Sequence, residues 1–524
     1  MRQRIRIVAA VLFVAAIAVA APAGAERRAA GSQDVRTRPA GRGASDAGAP
    51  GPARRAGLQT VGPRTPAARK ASVDATPRSG VRTPTTDGLD ADLLGTGNVA
   101  TSPADPTGAT GPTRVVAAVN VSVAVYDRTG AELMAPVRLR NISSALTGLQ
   151  ETDPKVFYDA YDDVFVLAFL TYDANQGYID VVTIPSATAE DRGTWCMTTM
   201  VGDQVKNGRH EFADYPTLGF TTNRVVVTTN NFGFNDGPFR YAQIVSMPKT
   251  QLYDDPTCTK TVHIEVAGGN ATKNPDGSKA FTLQAATAAG GSPTDQFLVS
   301  LEPRSAAANL VLWRLRVGGG TMTVDKTAEA VTHASPPPLG YQCNSTNDPD
   351  TWWDTGDLRI TSTFYDGGAN RLYAATAVQG VASGAVVSAI RWYEAEPKGR
   401  FHTSSVLREG TVKAAARDAA WPALATNDAG TLFLTYARAG MPECLSMYAA
   451  TVPAGTTTAT AALVAAGTAR YDFKHGVERW GDFSAANRDP VTPTDVAVVG
   501  AFAESDGMGP TTLFREHIAL LANV

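Results

Sequence analysis

The stretch DPKVFYDAYDDVFVLAF, residues 153–169, is a strand, a turn and a second strand. The same phrase returns as ADYPTLGFTTNRVVVTTN from Ala213, AAWPALATNDAGTLFLTYA from Ala419 and RWGDFSAANRDPVTPTDVAVVGAF from Arg479. Strand units repeating at intervals of about 40–60 residues predict a β-propeller, because one small sheet cannot bury both faces until neighbouring sheets pack against it. The turns carry residues that tolerate tight or left-handed backbone: Tyr161-Asp162-Asp163, Asp366-Gly367-Gly368 and Asn427-Asp428-Ala429-Gly430. Their carboxylates read as turn formers, with calcium ligation by Asp162 and Asp163 as the rival reading.

Outward from this phrase, residues 114–524 are dominated by strand signals and almost free of helical periodicity. Seven segments can be read, beginning near Val115, Asp153, Asp214, Phe281, Leu358, Trp421 and Arg479. The expected fold is therefore all-β, a propeller of seven blades, or six if the first and last segments merge. The last segment offers only three strands, SAANRDP, DVAVVGAF and TLFREHIALLA. A strand from the N-terminal side is expected to complete that blade and remove its open edge.

Residues 1–25 read as a signal peptide: Arg2, Arg4 and Arg6, an apolar run from Ile7 to Ala21, then Ala23-Gly24-Ala25 for cleavage. The apolar run falls short of the roughly 20 residues needed to span a bilayer, so contact with a membrane is peripheral at most. Residues 26–113 are rich in Ala, Pro, Gly and Arg and poor in aromatic residues, which predicts a disordered leader. From Glu26 to Thr86 the net charge is +8, and residues 87–524 carry −14. A basic tail thus precedes an acidic body, and that body argues against nucleic acid as a partner. The expected location is secreted or periplasmic.

The combination of Asp214-Tyr215-Pro216, TTNNF from Thr228, Trp421-Pro422 and Arg479-Trp480-Gly481-Asp482-Phe483 resembles exported bacterial propeller proteins of the sialidase-like kind. The resemblance covers most of residues 114–524 and implies the fold and an extracytoplasmic location. It carries no enzymatic role across. Sialidases themselves have repeated Asp boxes and a Phe-Arg-Ile-Pro start, and this chain departs from both. Glu190-Asp191-Arg192-Gly193-Thr194-Trp195 is one residue short of an Asp box, and Leu358-Arg359-Ile360-Thr361 lies in the fifth segment without the flanking residues.

Aligning the phrases sets Asp153, Asp214, Asp357 and Asp482 at equivalent inner-strand starts, with Ala420 in the sixth segment. Crowded carboxylates at one mouth of a channel would raise one another's pKa or attract a cation, calcium or Arg359 and Arg479 among them. The competing reading makes each aspartate a fastener that accepts backbone N–H groups from the next blade. The candidate ligand-binding set is Asp214, Tyr215, Asp357, Arg359, Trp421, Arg479, Trp480 and Asp482. Trp352-Trp353 in the preceding loop is a further aromatic pair expected to be exposed. No catalytic residues are assigned, since no nucleophile elbow, phosphate loop or metal-ligand spacing occurs.

Cys196, Cys258, Cys343 and Cys444 are expected to form two disulfides in an oxidising compartment, Cys196 with Cys258 and Cys343 with Cys444. Three function classes follow. The leading one is a propeller that binds a glycan, an extracellular protein or a cell-surface component through one face. The others are a polysaccharide hydrolase or lyase and a structural or adhesive module.

Overall fold

The computed structural model describes residues 81–90 and 103–522, apart from 206–209, 235–236, 254–257, 259–260, 303–305, 473–475 and 506–511. The expected signal peptide and most of the expected leader lie outside the described residues. The described chain is all-β, with one short helix, Lys249–Leu252, and a few 3-10 turns. None of its helices is long and apolar enough to cross a membrane.

Seven sheets form a seven-bladed propeller. Blade 1 spans residues 107–138, blade 2 150–201, blade 3 211–267, blade 4 284–334, blade 5 362–412, blade 6 418–467 and blade 7 485–521. Each blade runs from a strand beside the central channel outward. Burial follows that path. The inner strand of blade 6, Asp418–Thr426, is buried throughout, as expected of a strand covered on both faces. The outermost strand of blade 4, Thr321–Ala334, is almost wholly half-buried or exposed. Inner strands can also approach closely. A Cβ at Gly219 would collide with the Ala286 carbonyl of the next blade, and one at Gly108 would lie 3.4 Å from Val499 of blade 7.

Two features differ from the sequence reading. The innermost strand of blade 1 is Thr107–Thr110, so the propeller begins ahead of residue 114 and takes the end of the expected leader with it. This short strand holds only Thr, Gly and Ala, too small and weakly apolar to register as a strand from composition. In blade 4 the innermost strand is just Gln284–Ala285, and Thr287–Ala289 crosses to pair in parallel with Ser362–Asp366 of blade 5. The expected closure is present: Val81–Asp90 pairs antiparallel with Thr512–Leu521 as the fourth strand of blade 7.

The turn aspartates hold turns. Asp366 Oδ1 accepts the N–H groups of Gly368 and Ala369, and Asn427 Oδ1 accepts that of Thr431. Asp162 pairs with Lys249 at 2.8 Å, and Asp163 accepts the Tyr158 hydroxyl at 2.7 Å, so both are engaged by protein groups. Among the described residues no three His, Cys, Asp or Glu side chains are grouped to hold a metal ion.

Both expected disulfides form. Cys196–Cys258 ties the outer strand of blade 2 to a loop of blade 3, and Cys343–Cys444 ties the loop before blade 5 to blade 6. The second closes a separation of 101 residues. Replacing both of its cysteines by serine should cost about 2–4 kcal/mol. Thermal unfolding of the double variant beside the parent checks this, and an unchanged midpoint would contradict it.

Candidate functional site

In five blades the chain swings into its inner strand through a residue in the left-handed region. These are Asp105 (φ 46°), Asp153 (54°), Tyr215 (52°), Thr282 (54°) and Trp421 (57°). Four of the five precede a proline, whose ring disfavours the right-handed helical conformation in the residue before it. A left-handed tyrosine or tryptophan is an outlier that the surrounding packing must hold. The sheet ladder breaks at these points, between Thr152 and Lys155, Asp214 and Thr217, and Ala420 and Ala423. Side chains there are freed from the pleat and turn toward one mouth of the channel.

This geometry corrects the expected register. Tyr215, not Asp214, is the counterpart of Asp153, because Asp214 still pairs with Asn230 while Asp153 lies inside the break. Trp421 rather than Ala420 occupies that place in blade 6, and blade 1 supplies Asp105. The fasteners are also different. Inner strands are tied across blades chiefly by hydroxyls: Thr107 Oγ1 accepts from Val156 N at 3.2 Å, Thr217 Oγ1 from Ala285 N at 3.0 Å and Ser362 Oγ from Leu424 N at 3.0 Å. Two aspartates do act as expected of a fastener: Asp105 Oδ1 accepts the Asp482 N–H at 2.6 Å and joins blades 7 and 1, and Asp418 Oδ1 accepts the Ser388 N–H at 2.9 Å and joins blades 6 and 5.

Around this junction the mouth gathers Asp105, Asp153, Lys155, Tyr215, Arg359, Arg479 and Asp482, with Asp354 and Asp357 from the loop before blade 5. The Arg359 guanidinium grips Asp357 through Nε at 2.8 Å and Nη2 at 2.9 Å, and lies 4.4 Å from the Tyr215 ring. That ring packs against Phe483 at 4.9 Å, and its hydroxyl donates to the Asp482 carbonyl at 3.3 Å. Arg479 Nη2 reaches Asp482 Oδ2 at 3.2 Å. Lys155 Nζ sits 3.4 Å from the centre of the Phe483 ring.

Burial and like charge set the protonation of this group. Burial pushes the Asp105 carboxyl well above the usual carboxylate range, and the Asp482 and Asp153 carboxylates push the same way against Arg479. Asp482 is also raised by burial, with Arg479 and Arg359 opposing. Burial lowers the Lys155 ammonium to about 7, although Asp105, Asp153 and Asp482 all favour its charged form. Burial raises the Tyr215 hydroxyl well above its ordinary value, so it stays a donor.

Of the residues singled out from sequence, Asp153, Tyr215, Asp357, Arg359, Arg479 and Asp482 come together here. Asp214 stays in its strand, half-buried. Trp421 and Trp480 edge the site but face inward: the Trp421 indole donates to the Asp354 carbonyl at 3.1 Å, and Trp480 packs edge-on against Tyr471 at 4.9 Å. Trp353, expected to be exposed, is fully buried in the same cluster, and Trp352 is 5% exposed. Disulfide-anchored loops over blade 6 bury both rings. The near-Asp-box at Asp191 is a turn between strands of blade 2, where Asp191 Oδ1 accepts the Gly193 N–H at 2.9 Å. Asp105 and Lys155 were not picked out. The repeated Asp-Pro of Asp105-Pro106 and Asp153-Pro154 was the available signal for the first.

No protein-family model and no curated protein matches this chain. Solved structures similar to it include a protein of unknown function from Dyadobacter fermentans, at 12% identity and a TM-score of 0.38 over 72% of this chain and 95% of that one. A GH93 α-L-arabinofuranosidase of Fusarium graminearum, solved with arabinobiose, is 10% identical at a TM-score of 0.36, over 79% of this chain and 92% of that one. A Trypanosoma rangeli sialidase is 9% identical at 0.36, over 71% and 54%. The fold assignment rests on the sheet order described above.

Two stability measurements test the electrostatics. A carboxyl with a raised native pKa binds its proton more tightly when folded, so its contribution falls as pH rises from about 4 through the native value. Asp105→Asn keeps an acceptor for the Asp482 N–H without a buried charge. It should melt no lower than the parent at neutral pH, and a marked drop would contradict the raised pKa. Lys155 has the opposite sign: with a native value of about 7 below the ordinary one, its contribution to stability rises with pH between about 7 and about 10. Lys155→Met should remove about 1–3 kcal/mol of that rise, read from unfolding curves at about pH 7 and about pH 9.

Proposed function

We propose that this chain is an exported β-propeller that binds a carbohydrate at the channel mouth where the inner strands begin. The observation that carries the reading is the alternation of acid and base at that mouth. The side chains of Arg359, Arg479 and Asp482 remain 16%, 21% and 22% exposed above the buried Tyr215. A sugar hydroxyl both donates and accepts, so it can bridge a guanidinium and the carboxylate beside it. A preformed concave site with few convergent polar groups suits a small ligand. The signal-peptide pattern and the two disulfides support export.

A hydrolytic reading has one observation in its favour. Asp105, whose carboxyl pKa burial raises beside Asp482, would suit the acid of a carboxyl pair. Screening the full chain on a glycan array tests the binding reading. Asp482→Asn and Arg479→Gln should each weaken binding of a captured glycan by about tenfold or more, as expected for losing a charged hydrogen bond. Their melting temperatures should stay near that of the parent. Failure of the parent to retain any glycan would sink the proposal, and release of new reducing ends from a polysaccharide would favour the hydrolase.

A further inference from the structure

We propose that Lys155 is a nucleophilic amine that takes a small neutral aldehyde or ketone as a covalent imine in the channel mouth. This goes beyond carbohydrate binding and does not rest on it. Lys155 extends from the inner strand Gln150–Asp159 of blade 2 and is only 8% exposed. Its nitrogen has no hydrogen-bond acceptor among the described residues. It is held instead by the face of Phe483 at 3.4 Å and by the fields of Asp105, Asp153 and Asp482. The contrast with Lys249 is instructive. That lysine is 3% exposed and bonded to both Asp159 and Asp162, which is how a structural ammonium is satisfied. An amine desolvated without acceptors is the arrangement that frees a lone pair near neutral pH.

Room for a substrate lies beside it. Lys155 lines a cavity between the inner strands together with Gly108, Phe157, Ala285, Thr361 and Ser484. The carboxylates of Asp105, Asp153 and Asp482 that act on the amine disfavour an anionic carbonyl compound beside it and admit a neutral one. The step balances without a redox partner. The lone pair of the neutral amine attacks the carbonyl carbon, and the carbonyl oxygen takes the proton held by Asp105. Asp482 relays a proton from nitrogen to that oxygen, which leaves as water. A C=N bond replaces the C=O bond, and the second nitrogen proton returns to Asp105.

Reductive alkylation of the folded full chain tests this. Propionaldehyde and sodium cyanoborohydride are supplied at neutral pH, and the propylated lysines are located by peptide mass mapping. Lys155 should be alkylated about tenfold or more faster than the exposed Lys398, because an ordinary lysine is almost wholly ammonium at that pH. The preference should disappear in urea and near pH 10, where other lysines lose their protons. Lys155→Arg should remove that one product and leave the rest unchanged. If Lys155 in the folded parent is alkylated no faster than Lys398, the proposal is overturned, whether or not the variant folds.

Discussion

Everything in this molecule depends on closing the ring between blade 7 and blade 1. A propeller blade is covered only by its neighbours, so an open junction would expose two sheet faces and the edge of a strand. The chain closes it with hydrogen bonds between residues 361–377 positions apart in sequence. Ala104 N donates to Trp480 O at 3.0 Å and Asp482 N to Asp105 Oδ1 at 2.6 Å. Asn487 exchanges two bonds with the backbone of Thr110, each at 3.0 Å, and Arg128 pairs with the fully buried Asp489. Farther out, Val81–Asp90 covers Thr512–Leu521. Blade 7 thus takes its outermost strand from ahead of blade 1 and is pinned at its innermost strand to blade 1 itself.

The candidate site grows out of that closure. Asp105 is part of the seam and also part of the mouth, and Asp482 meets it through the backbone while its carboxylate faces Arg479. The left-handed residues around the channel cost conformational energy, and each is held by packing or by hydrogen bonds across blades. That cost is compatible with a site, since the same pivots that break the ladder aim Asp153 and Tyr215 out of their sheets. Like-charged carboxylates, two guanidiniums and a desolvated amine are kept together because the surrounding strands leave them no freedom to separate. Their perturbed protonation follows from burial more than from any single partner.

Much of this was legible in the amino-acid order. Strand-turn-strand phrases at recurrent spacing specify small sheets, and small sheets with two apolar faces must pack into a ring. The missing fourth strand of the last segment announced that the N-terminal side would supply it. The two cysteine pairings likewise follow from which segments are neighbours in the ring. The recurrent Pro after Asp153, Tyr215 and Trp421 marked the turning points, since proline restricts its predecessor whatever the fold.

The site itself was decided by tertiary structure. Register at the mouth depends on where each ladder breaks, and a bulge shifts equivalence by a residue without changing the phrase, so Asp214 was set where Tyr215 belongs. Asp105 enters the site through a strand of four small residues that has no signature until blade 7 lies beside it. Trp353, Trp421 and Trp480 are buried because a disulfide-tied loop folds over blade 6, a contact between segments far apart in the chain. Lys155 sits within the phrase that reveals the fold, yet nothing local distinguishes it from a solvated lysine. Its chemistry comes from desolvation, and desolvation is a property of what the other blades place around it.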